Sequence, residues 1–326
     1  MRSLLLTAAT VTAAALTLAG CGTTEPAADS SEKPAEAITL TDGAGKEVKL
    51  DGPAKRVVAT EWNEVESLVT LGVDPVGVAD VKGYKTWDTA VPLKNEPKDI
   101  GTRGEPSMDT IASLSPDLIV AGSDLPPAAV KQLREVAPVL AVKSADASDQ
   151  IGQMFDNLDL IAKATGTTDR AEKVREDFEA KAAEGRKALT DAGLDGARFA
   201  FADGYVTSNQ VSIRPFTSGS LIGAVSEELG LKNAWKVEGD AAYGLASTDV
   251  EGLTELPKDT RFAYIGNDGD KNSTPFTGAL AKNSVWQNLP FVKAGDVYRL
   301  PDGIWMFGGP GSMQAYIDAV VDALTK

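Results

Sequence analysis

The sequence predicts an α/β protein of two similar lobes, each built on a central parallel sheet with mixed edges, bridged by one long α-helix and with a ligand cleft between the lobes. Three observations carry this expectation. Short, continuously apolar runs alternate with amphipathic segments of helical period, the pattern of parallel strands covered on both faces. Midway, a densely charged amphipathic stretch begins at Thr168; about 21 residues of helix there span roughly 31 Å, enough to cross from one lobe to another. Beyond it, the alternation of strand and helix starts again.

The elements follow in order. Residues 38–41 and 48–50 flank the Gly43-Ala-Gly45 turn and read as a starting hairpin. Arg56-Val-Val-Ala-Thr60 is a short apolar strand. Val65, Leu68, Val69 and Leu71 recur at helical spacing over 64–71, with Gly72 as the C-cap. Residues 76–79 form the next strand. Pro106-Ser107 opens a helix with Met108, Ile111, Ala112 and Leu114 on one face, broken by Pro116-Asp117 ahead of the apolar strand 118–121. A helix over 125–136 ends before Pro138, and 139–142 is another strand. Ile151, Met154, Phe155, Leu158 and Ile161 mark an amphipathic helix closing at Thr165-Gly166. The long helix starts at Thr168-Asp169, with Glu172 three residues past Asp169 as a capping box, and runs to about Leu189 on Val174, Phe178 and Ala182.

After Gly193 the strand 198–202 leads through Ser218-Gly-Ser220 to a helix on Leu221, Ile222, Val225 and Leu229. The two halves then echo each other. Leu71-Gly72-Val73 matches Leu229-Gly230-Leu231. Met108-Asp109, Ile111, Leu114 and Pro116-Asp117 match Val250-Glu251, Leu253, Leu256-Pro257 and Asp259, with a helix before strands 118–121 and 262–265 respectively. Domain interfaces and the C-terminal ends of parallel strands are where α/β proteins bind ligands.

Composition excludes much chemistry. The 326 residues hold no His and one Cys, so imidazole-based triads and zinc sites and internal disulfides are absent. With 47 acidic against 32 basic side chains, a formal charge of −15, nucleic acid is not a partner. Residues 1–20 combine Arg2 with an alanine-rich apolar run too short for a membrane span, a signal peptide. Leu18-Ala19-Gly20-Cys21 resembles the lipobox of bacterial lipoproteins, which implies lipidation of Cys21 and a lipid anchor to the cell membrane. Removing residues 1–20 deletes one Arg and no acid, taking the charge from −15 to −16. Residues 21–36 are rich in Pro, Ser, Ala and acid and read as a disordered tether. The expected organisation is therefore signal peptide 1–20, tether 21–36, N-terminal lobe 37–167, bridging helix 168–190 and C-terminal lobe 191–326.

The lipobox, Arg56-Val-Val-Ala, Leu71-Gly-Val-Asp-Pro-Val-Gly77, Ile100-Gly-Thr-Arg103, the run from Pro106 to Ile119, and Trp286 to Tyr298 together resemble the iron-siderophore binding proteins of ABC importers, especially ferric-dicitrate and ferric-hydroxamate binders. The resemblance covers about residues 37–326. It implies an extracytoplasmic binding lipoprotein, not an enzyme, that captures a ferric siderophore and hands it to an ABC transporter permease. It also implies two lobes on one long helix with little hinge motion, and a monomer. The family includes zinc, manganese, haem and cobalamin binders. The missing His argues against the first two; a cobalamin- or haem-binding protein is the alternative. A surface hydrolase would need a base other than His, and Ser218 and Ser220 lie in no Gly-x-Ser-x-Gly elbow.

A ferric siderophore already saturates its iron, so no cofactor and no metal ligand from the protein are expected. Such a cleft needs Arg donors for chelate oxygens and rigid aromatic surface for the carbon shell. The candidates stand in loops after strands: Trp62; Tyr84 and Trp87 in the 80–93 loop; Arg103, at the position resembling the family's ligand-binding Arg; Tyr205; Arg214; Trp235 and Tyr243 after Gly230; and Trp305 beside Met306 in the Gly-rich 302–311 stretch. The other reading of Arg103 is a surface bridge to Glu105 or Glu61; its matching position favours the ligand role. Trp286 and Tyr298 are assigned to structure. Asp109 and Glu251 suit helix N-termini as simple caps; the resemblance implies that they dock to permease Arg residues, with Glu105 and Asp249 as neighbours able to substitute. Net charge favours a cationic hydroxamate complex, while two cleft arginines favour an anionic one; the hydroxamate type is preferred.

Overall fold

The computed structural model describes residues 36–326. The signal segment, Cys21 and the tether up to residue 35 lie outside the described residues. Among the described residues no helix is long and apolar enough to cross a membrane.

Strands β1 (Ile38–Thr41) and β2 (Glu47–Leu50) form an antiparallel hairpin with Ile38 opposite Leu50. Asp42 closes its turn by accepting from the Ala44 and Lys46 N–H groups at 3.0 and 2.7 Å. The first lobe follows as β3 (Val57–Ala59), α1 (Trp62–Thr70), β4 (Gly77–Val78), α2 (Val81–Trp87), β5 (Lys98–Asp99), α3 (Met108–Ser113), β6 (Leu118–Gly122), α4 (Pro127–Val136) and β7 (Val139–Val142). Its five strands lie parallel in the order β5-β4-β3-β6-β7. Successive residues serve opposite faces. Val57, Ala59, Leu118 and Val120 join one apolar cluster, and Val58, Ile119 and Ala121 join another. That is why these strands are apolar throughout.

Helix α5 (Gln150–Thr165) stops at Gly166, whose φ of 71° suits glycine at a helix end. Helix α6 (Thr168–Asp191) is the bridge. Its buried line, Ala171, Val174, Phe178, Ala182, Gly185 and Leu189, advances by three and four residues and so stays on one face. The expected Asp169–Glu172 capping box does not form: the N-cap is Thr167, two residues before Asp169, and its side chain makes no capping hydrogen bond.

The second lobe comprises β8 (Arg198–Thr207), β9 (Gln210–Phe216), α7 (Leu221–Glu228), β10 (Lys232–Asn233), β11 (Arg261–Tyr264), α8 (Ser284–Asn288), α9 (Pro290–Ala294), β12 (Val297–Arg299) and α10 (Pro310–Thr325). Strands β10-β8-β11-β12 are parallel, and β9 returns antiparallel along β8. The two-residue turn, Ser208 and Asn209, takes positive φ at both positions, as a tight hairpin requires. The helix expected over Val250–Leu256 is only a 3-10 turn, Gly252–Glu255, ended by Leu256, which is extended as a residue before proline tends to be.

A single apolar cluster runs from Val57 and Val120 of the first sheet through Phe155 and Phe178 to Phe201, Ile222 and Tyr316 of the second lobe. The lobes therefore share a core. Gly185 of α6 lies so close to α10 and α7 that a Cβ would come within 2.8 Å of Ile317 and 2.9 Å of Leu229.

Candidate functional site

A cleft of about 830 Å³ opens between the lobes, at the C-terminal ends of β3, β6 and β7 on one side and along the β8–β9 hairpin on the other. A third wall comes from the irregular stretch before α10. That stretch is clasped to the first lobe at both ends: Thr89 and Ala90 donate to the Gly303 carbonyl at 2.9 and 3.0 Å, and Ser312 N–H, in the first turn of α10, donates to the buried Glu66 carboxylate at 2.8 Å. Its glycines allow the approach; a Cβ on Gly308 would lie 2.2 Å from Glu66 Oε2. The clasp sets Trp305 and Phe307 at the centre of the cleft.

The aromatic wall is continuous. Trp62, anchored by its Nε1–H on the Ala79 carbonyl at 3.1 Å, meets Trp305 at a ring-centroid distance of 4.7 Å. Trp305 meets Phe307 at 5.2 Å, and Phe307 meets Phe216 at 5.8 Å and Tyr243 at 5.7 Å. A guanidinium stands over each end. Arg103 lies 4.2 Å from the Trp62 centroid and 5.4 Å from that of Trp305. Arg214 lies 5.2 Å from Phe307 and 5.6 Å from Phe216. Both geometries are cation–π contacts.

Each arginine has a carboxylate partner. Arg103 Nη1 is 3.2 Å from Glu61 Oε2, the first of the two pairings open from the sequence. Arg214 grips Asp203 with both prongs, Nε donating to Oδ1 at 2.9 Å and Nη2 to Oδ2. Asp203 and Arg214 stand opposite each other in the β8–β9 register, so strand pairing dictates the ion pair. Burial pushes the Asp203 carboxyl above its ordinary range, and Arg214 opposes this. Burial raises Glu61 too; Arg103 offsets it and nearby Asp124 adds to it. Tyr243 donates its O–H to Asp124, and burial with that bond raises the phenol.

Of the sequence-derived candidates, Trp62, Trp87, Arg103, Tyr205, Arg214, Tyr243 and Trp305 are brought together on this cleft. Two are not. Tyr84 is fully buried and donates to the Val91 carbonyl at 2.6 Å, because residues 81–87 form helix α2 rather than a loop, which turns Tyr84 into the core while Trp87 faces the cleft. Trp235 packs edge-on to Phe262 behind the second sheet, its Nε1–H on the Phe201 carbonyl at 2.9 Å, away from the cleft. Trp286 is buried in the same cluster and Tyr298 is half-buried. Sequence reasoning missed Asp124, Asp203 and Phe307 among the lining residues. Asp203 had a signal: it is the acid ending the apolar Phe199-Ala-Phe-Ala run. Asp109, in the first turn of α3, and Glu251, preceding the 3-10 turn, are both solvent-exposed, one per lobe. Among the described residues no three His, Cys, Asp or Glu side chains group as a metal site.

A two-lobed α/β body on one long helix, with a preformed cleft between the lobes, defines a solute-binding protein. The chain belongs to the periplasmic binding protein family, whose model matches residues 57–303. It is similar to the probable siderophore-binding lipoprotein YfiY of Bacillus subtilis, 25% identical with 91% of this chain and 90% of that protein covered. It is also similar to the iron(3+)-hydroxamate-binding protein FhuD of Escherichia coli, 26% identical over 82% of this chain and 86% of that one. Its fold matches the crystal structure of Fe3+-Desferal-bound FhuD from Vibrio cholerae at a TM-score of 0.73, 24% identical, with 83% and 98% of the two chains covered.

Proposed function

We propose that this protein is an extracytoplasmic lipoprotein, anchored through Cys21, that captures a ferric siderophore of hydroxamate type and delivers it as a monomer to an ABC importer permease. One observation carries the reading: two guanidiniums, one from each lobe, stand at opposite ends of a single aromatic wall in a cleft of about 830 Å³. A chelate that saturates its own iron needs N–H donors for its outer oxygens and flat apolar surface for its carbon shell, and the wall offers both. The names of the relatives, siderophore and iron-hydroxamate binders, point the same way.

Binding on this reading is capture in a standing cleft, since the core shared by the lobes resists wide closure. Exposed Asp109 and Glu251, one per lobe, would engage permease arginines and so report that both lobes are correctly presented. Titration of the intrinsic tryptophan fluorescence with ferric hydroxamates, ferric citrate and ferric catecholates tests the reading, because Trp62, Trp87 and Trp305 line the cleft. Quenching at micromolar or lower concentration is expected for at least one complex. Failure with all of them would overturn it, and new visible absorption on mixing with haem or cobalamin would replace it. Loss of fatty-acid labelling in Cys21→Ser checks the anchor; undiminished labelling would remove it.

A further inference from the structure

Resting on that siderophore reading, we propose that the cleft is a charge filter: Glu61 and Asp203 neutralise its two arginines in advance, so that it selects ferric chelates carrying no net negative charge.

Among the described residues the lining holds three carboxylates, Glu61, Asp124 and Asp203, against two guanidiniums, Arg103 and Arg214. Read from the sequence, the arginines favour an anionic ligand, against the net charge and the preference for a hydroxamate. The geometry removes that pull. Asp203 takes both prongs of Arg214; the carboxylate is the shielded end of the pair, 18% exposed, and the guanidinium the open end, 41% exposed. The β-register places Asp203 opposite Arg214, so strand pairing, and not a ligand, brings the two together. At the other end, Glu61 sits at the start of α1, 3.2 Å from Arg103, with Asp124 near enough to repel it.

Neutralisation does not remove the donors. A guanidinium carries five N–H groups in a planar fork, and a carboxylate at one edge leaves the others for a ligand. A hydroxamate oxygen is a strong acceptor in a chelate whose overall charge can be zero, so it finds donors here without needing an excess cation. A trianionic tris-catecholate would bring its charge against three carboxylates. It would either meet their repulsion directly or have to expel Asp203 from its guanidinium, leaving an unpaired carboxylate in a poorly solvated place. A chelate with a pendant ammonium gains instead from Asp124, which accepts from Tyr243 and forms no ion pair among the described residues. Glu61 and Asp203 are therefore specificity-determining residues that act against the wrong ligand as much as for the right one.

The test uses the purified full chain and three ferric complexes of fixed charge: monocationic ferrioxamine B, neutral ferrichrome and trianionic ferric enterobactin. Fluorescence titration is expected to rank the cationic and neutral complexes above the trianion. Glu61→Gln and Asp203→Asn, each close in shape and one charge less negative, are expected to strengthen trianion binding by about tenfold or more and to weaken the cation's. The neutral complex should shift by less than about threefold, which separates charge from damage to the site. The two substitutions lie on different lobes, so either alone carries the test if the other fails to fold. A wild-type protein that prefers the trianion, or variants in which the trianion-to-cation affinity ratio does not move, would overturn the charge filter alone. Absence of binding by all three complexes would overturn the siderophore reading and the filter with it.

Discussion

Replacing Arg103 with alanine is expected to weaken siderophore binding strongly while hardly changing the fold. The side chain is 36% exposed, and its contacts are Glu61 at 3.2 Å and the faces of Trp62 and Trp305. An ion pair so open to water contributes about 0–1 kcal/mol to stability, and a cation–π contact at such a site adds about 0.5–1 kcal/mol. The melting temperature should therefore fall by only a few degrees, at about 2–4 °C per kcal/mol for a chain of this size. Ligand binding is another matter. A hydrogen bond to a charged group is worth about 1.5–3 kcal/mol, equal to about 10- to 150-fold in Kd. The same substitution leaves Glu61 unpartnered beside Asp124, so the loss should lie toward the upper end for any chelate with outer oxygens. Arg103→Lys keeps the charge but not the flat fork over Trp62, and should recover only part of the affinity. Fluorescence titration and thermal melts on the same samples check both halves. Unchanged affinity for Arg103→Ala would remove this residue from the site; a melting point lowered by ten degrees or more would make its role structural.

Three further outcomes are expected. Gly185→Ala gains about 1 kcal/mol of helix propensity, but its methyl would press on Ile317 and Leu229 at under 3 Å; overpacking of about 1–3 kcal/mol wins, and thermal melting should show a lower Tm, whereas a higher Tm would refute the close approach of α6 to α10. Burial, then the Glu66 charge, pushes Asp88 up to about 9 from an ordinary 3.8, and Oδ2 of Asp88 and Oε2 of Glu66 have no donor among the described residues, so the pair shares a proton. Because the folded state keeps that proton and the unfolded chain sheds it, stability should be greatest below about pH 4 in this respect and decline toward about pH 9; urea melts across that window should show a flatter decline in Asp88→Asn, and an identical slope would refute the shared proton. The double reversal Asp109→Arg with Glu251→Arg should leave siderophore affinity intact and abolish iron uptake by cells; normal uptake would dismiss the docking role.

Much of the architecture was legible because it is locally encoded. Residues 118–121 and 199–202 are apolar throughout, and a strand buried on both faces reads that way in one dimension. The bridge showed itself through Val174, Phe178, Ala182 and Leu189 on one face of a densely charged stretch. Where reading failed, the deciding information was not local. Helix α2 carries few apolar residues and looked like a loop, so Tyr84 seemed available when one helical turn buries it. The start of α10 was hidden by the glycines before Pro310, which serve contact with Glu66 rather than flexibility. The Val250–Leu256 segment matched its counterpart in the first lobe by sequence, yet forms only a single 3-10 turn.

By itself, the sequence determined the class of fold, the alternation of strand and helix over most of the first lobe, and the residue types a cleft would use, since periodicity and composition are properties of the chain alone. Only the tertiary structure decided which aromatic rings face that cleft and what charge its arginines present. Glu61 meets Arg103 across 42 positions of chain, and Asp203 meets Arg214 only because the β8–β9 register sets them side by side. An arginine read alone is a cation; paired with a carboxylate it is a donor without excess charge, and that difference arises where distant segments fold together.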